Sequence, residues 1–74
     1  MAKIELSAEN KKTAINEIKQ FFEQERDETL GDLASGLILD FILEKIGPQI
    51  YNQAITDTQK YMSEKVEDLY MLML

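Results

Sequence analysis

The sequence predicts an all-α fold: a three-helix domain with a short extended N-terminal arm and a long C-terminal helix. Three observations predict it. Apolar side chains recur with a period near 3.6 along most of the 74 positions. Strict alternation is confined to Lys3-Ile4-Glu5-Leu6, long enough for an arm and too short for a sheet. The step Gly47-Pro48 is the clearest punctuation in the chain.

Each element has a local reason. Ile4 and Leu6 fall on one side of an arm over residues 3–6. Ser7 reads as an N-cap, and Glu9 suits the positive end of the helix dipole. The first helix is expected from about 8 to 26. Ala14, Ile15, Ile18, Phe21 and Phe22 form its one apolar stripe, with Glu17, Gln20, Glu23 and Gln24 off it. The segment from Arg26 to Thr29 is polar, and Asp27 and Thr29 are candidate caps for the next helix.

The second helix is expected over about 32–46. Leu33, Leu37, Ile38, Leu39, Phe41, Ile42, Leu43 and Ile46 make it apolar on most sides, which predicts burial between the other two. Gly47 is placed to end it in the left-handed conformation, and Pro48 to begin the third helix, over about 48–71. Tyr51, Ala54, Ile55, Thr58, Tyr61, Met62, Val66 and Leu69 share one face of that helix. Its length predicts an end projecting beyond the core. The whole of 1–74 reads as a single domain.

Composition narrows the functions. A chain this short has a thin margin of stability unless a disulfide, a metal or a partner subunit helps. There is no cysteine and no histidine, which removes disulfides, thiol catalysis and the commonest zinc ligand and general base. Nothing sets a nucleophile beside an orienting base, so no enzyme and no cofactor is expected. The net charge of −6 disfavours nucleic acid. No apolar run approaches the roughly 20 residues of a membrane span. The start carries no signal-peptide pattern, so a cytoplasmic protein is expected.

Three candidate sites remain. The apolar end of the third helix predicts a docking surface for a second copy, another protein or a membrane interface, with self-association or a protein partner leading through Tyr61, Leu69, Tyr70, Leu72 and Met73. The alternative is that this end tucks against the first helix or the arm. Asp40 and Glu44, four residues apart on the most apolar helix, form with Asn52 a possible small-ligand or divalent-metal site. The simpler reading makes the two carboxylates a solvated strip or partners for Lys45, Lys60 or Lys65. A strand-like arm before helices also invites comparison with DNA binders that read bases from strands, but its outward pair is Lys3 and Glu5, and a carboxylate faces phosphates badly.

Several segments together carry a resemblance: Ile4-Glu5-Leu6-Ser7, Leu30-Gly31-Asp32-Leu33, Asp40-Phe41, Ile46-Gly47-Pro48 and Ile50-Tyr51-Asn52-Gln53-Ala54. On them the chain resembles domain of unknown function family 2164, small uncharacterised bacterial proteins. The resemblance covers nearly the whole chain. It implies a bacterial cytoplasmic protein of about this size, and no activity, cofactor or catalytic residue.

Overall fold

The computed structural model describes residues 3–74. Among them it is helical throughout, apart from the arm, one connection and the last two residues. Ser7 caps α1 (Ala8–Arg26): its side chain accepts from the Asn10 amide at 3.1 Å. The other end of α1 closes on Asp27, which takes the left-handed conformation with φ 53°. The amides of Asp27 and Glu28 both donate to Phe22 O, so the left-handed residue turns the chain out of the helix while its last carbonyls keep a donor. Asp27 therefore terminates α1 and does not cap the next helix. That cap position belongs to Gly31, with no side-chain hydrogen bond.

The expected three helices are two. α2 (Asp32–Phe41) passes into a π-helical turn, Ile42–Ile46, and then into α3 (Gly47–Asp68), with a 3-10 turn at Leu69–Leu72. Gly47 is right-handed, with φ −51° and ψ −44°, so the expected break at Gly47-Pro48 is absent. The reason lies in the hydrogen-bond ladder. Pro48 has no amide to give and its ring crowds the carbonyl four residues back. A π turn absorbs both faults by holding one extra residue. The Gly47 amide accordingly donates to Ile42 O, five residues back. Gln49 Nε2 donates to Lys45 O at 3.2 Å, supplying a side-chain donor beside the missing amide.

The long helix is nearly straight. Its 41 residues would span about 61 Å at 1.5 Å each, and the molecule measures 64 × 28 × 20 Å. α1 folds back along the first part of it. Ala14, Ile15, Ile18 and Phe22 are half-buried on α1, facing a seam that includes Ser35, Leu39 and Ile42. Only Leu39 (4 % exposed) and Ser35 (0 %) are buried among the described residues. Lys19 crosses the seam to pair with Asp32, at the N-terminal end of α2. The second helix is thus covered on one side only, because no third helix returns over it. Leu33, Leu37 and Phe41 remain exposed.

The arm completes the hairpin. Ile4 and Leu6 are half-buried, with Lys3 and Glu5 outward. Gly47 makes room for the arm: a Cβ there would lie 3.2 Å from Ile4 Cδ1 and 3.3 Å from Ile42 O. The π turn matters here too. In an unbroken α-helix residue 47 would sit about 120° round from residue 35. One inserted residue cancels about 100° of that drift. Gly47 therefore faces the same side as Ser35 and Leu39.

Candidate functional site

The apolar face that α1 and the arm cover does not stop where they stop. One turn beyond Gly47 lies Tyr51, and Ile55, Thr58, Met62, Val66 and Leu69 follow at steps of three and four, the spacing of a single helix face. Met73 follows beyond the 3-10 turn. Every residue from 49 to 74 is exposed. The large apolar members of the stripe are each more than half exposed, from Tyr51 at 53 % to Met73 at 73 %. The overhang from 49 to 72 is about 36 Å of helix.

The stripe is clean. Thr58 donates its hydroxyl to Ala54 O at 2.7 Å, so its polar group is satisfied within the helix. At 100° per residue, Ala54, Tyr61 and Lys65 flank one side, and Asn52, Gln59, Ser63 and Tyr70 the other. Lys65 Nζ lies 5.3 Å from the Tyr61 ring centroid, a cation–π contact on the flank. Gln59 Nε2 donates to Ser63 Oγ at 3.1 Å. The four carboxylates of the segment, Asp57, Glu64, Glu67 and Asp68, all fall on the opposite side of the rod. Asp57 accepts there from Gln53 Nε2 at 2.9 Å.

The five residues expected to meet a partner lie on this overhang. Leu69 belongs to the stripe, Tyr61 to one flank and Tyr70 to the other; the 3-10 turn brings Leu72 into line with Leu69, and Met73 follows it with extended backbone. The chain end does not tuck against α1 or the arm. Tyr51, Ile55, Met62 and Val66, on the same face, were not singled out as site residues by the sequence. Their periodicity was visible, but it reads equally as a core face until the element meant to cover it is found missing.

The polar candidates separate. Asp40 and Glu44 edge an open cleft of about 870 Å³ between the arm and the long helix, lined also by Lys3, Glu5, Leu43 and Pro48. Glu44 lies 3.9 Å from Lys45 Nζ. Asn52 is further along the rod and does not line the cleft; its carbonyl accepts from Thr56 Oγ1 at 3.0 Å. Among the described residues no group of three or more carboxylates stands close enough to hold a metal ion. Among the same described residues no helix is long and apolar enough to cross a membrane.

Residues 4–74 match the family described as an uncharacterized conserved protein, DUF2164. The chain belongs to that family. The DUF2164 match takes in the arm, the hairpin and the whole overhang, so the uncovered stripe lies inside the family's extent. Neither a curated protein nor a solved structure matches the chain.

Proposed function

We propose that this DUF2164 chain is a self-association module whose occupant for the uncovered stripe is a second copy of itself. One observation carries the reading. The chain exposes 6731 Å², whereas a compact monomer of 8.6 kDa exposes about 4,700 Å². The surplus of about 2,000 Å² per chain is what obligate homodimers bury, at roughly 1,000–2,500 Å² a side. A fold with two buried residues among those described has little else to stabilise it. Charge supports the same reading. An anionic chain meets its copy badly in general, but this stripe and its flanks carry no carboxylate. The absence of cysteine suits a reducing cytoplasm.

Sedimentation equilibrium at tens of micromolar tests it. A mass of twice 8.6 kDa is expected, falling to the monomer in Met62→Asp. A wild-type chain that stays monomeric throughout that range defeats the reading.

A further inference from the structure

We infer that the two copies lie antiparallel, with the two-fold axis at Met62, so that Ile55 of each faces Leu69 of the other. The inference rests on the self-association reading and adds the orientation and the register.

Two independent features give the same answer. The first is the spacing of the stripe. Thr58 and Val66 stand four residues either side of Met62, Ile55 and Leu69 seven, and Tyr51 and Met73 eleven. Read backwards, the stripe has the same steps. Two copies laid antiparallel about Met62 therefore place every position of the stripe opposite another, with Val66 meeting the methyl-bearing Thr58, whose hydroxyl is already satisfied by Ala54 O; that is the self-complementarity a two-fold interface requires. Met62 meets itself, and a flexible thioether fills that central layer without demanding a fixed shape.

The second feature is the space left by α1. In each chain α1 and the arm lie on the same face as the stripe, as far along as Gly47 and Pro48. A parallel pair joined by its stripes would drive the α1 helix of each copy into the gap between the long helices. Long helices in contact stand about 8–10 Å apart between axes, a gap their own side chains fill, with no room for a further helix. An antiparallel pair avoids the collision. With Met62 opposite Met62, Leu72 of one copy faces Asn52 of the other, one turn short of Pro48 and the arm. The overhang of each copy then continues the line of the other's α1, and the covered face runs unbroken from end to end.

The chain has no cysteine, so single cysteines report the register directly. Met62→Cys is expected to form a disulfide-linked dimer under mild copper–phenanthroline oxidation. Ile55→Cys alone is not, because its two copies stand about 21 Å apart along the axis. Ile55→Cys mixed with Leu69→Cys is expected to cross-link, with at least tenfold more product than Ile55→Cys alone. Each variant is first checked by sedimentation. A dimer in which Ile55→Cys links to itself as readily as Met62→Cys overturns the antiparallel register and leaves self-association standing. A dimer in which Met62→Cys fails to link does the same. A monomeric wild type overturns both.

Discussion

At the scale of single residues, three side chains carry measurable consequences. Asp27 holds a left-handed backbone with φ 53°, which costs an L-residue more than glycine. Asp27→Gly is expected to stabilise the protein by up to about 1 kcal/mol, the left-handed penalty relieved less the extra freedom glycine gives the unfolded chain, read by urea denaturation at fixed protein concentration. Ser35 is fully buried where α1 and α2 meet, and its Oγ has no hydrogen-bond partner. Its small size lets the helices approach, while its hydroxyl is a cost. Ser35→Ala keeps the size, removes the orphan, and should raise stability by about 1 kcal/mol. The hydrogen bond and charge of Lys19 hold the Asp32 carboxyl below its usual value of 3.8. A depressed carboxyl stabilises the fold above its unfolded pKa, and that contribution is lost as pH falls through the folded value. Wild type and Lys19→Met should therefore differ in melting temperature at neutral pH and converge as pH drops below about 4.

At the scale of elements, α1 explains itself locally and the long helix does not. Ser7, Glu9 and the stripe Ala14, Ile15, Ile18 and Phe22 were enough to place α1 from the sequence, because a cap and a 3.6-residue period are properties of neighbours along the chain. Gly47-Pro48 failed as a boundary for a physical reason. A proline φ near −65° fits both the first turn of a helix and its interior, provided the ladder releases the carbonyl four residues back. The π turn makes that release, and the arm's Ile4 against Gly47 rewards it. Gly36 is a simpler case. It lies within α2, and an added Cβ there meets nothing within 4 Å. Gly36→Ala should add about 1 kcal/mol through helix propensity, visible as a higher denaturation midpoint with an unchanged m-value.

At the scale of the whole molecule, shape carries the proposed self-association. The radius of gyration is 18.8 Å, against about 11 Å for a compact domain of this length. On the proposed self-association, a chain so extended, with its apolar face bare for about 36 Å, draws stability from its copies. The thermal midpoint should accordingly rise with protein concentration. A midpoint constant from 5 to 500 µM, as rough limits for a dimer of ordinary affinity, would point to a self-sufficient monomer.

The sequence by itself determined that the chain is helical, where α1 starts, and which side chains share a face. Those follow from capping chemistry and periodicity, which act over a turn or two. Only the tertiary structure decided that the second and third helical segments are one rod and that residues 49–74 have no cover among the described residues. Both depend on where distant segments come to rest, and a local pattern of apolar residues is the same whether its partner lies in the same chain or in another.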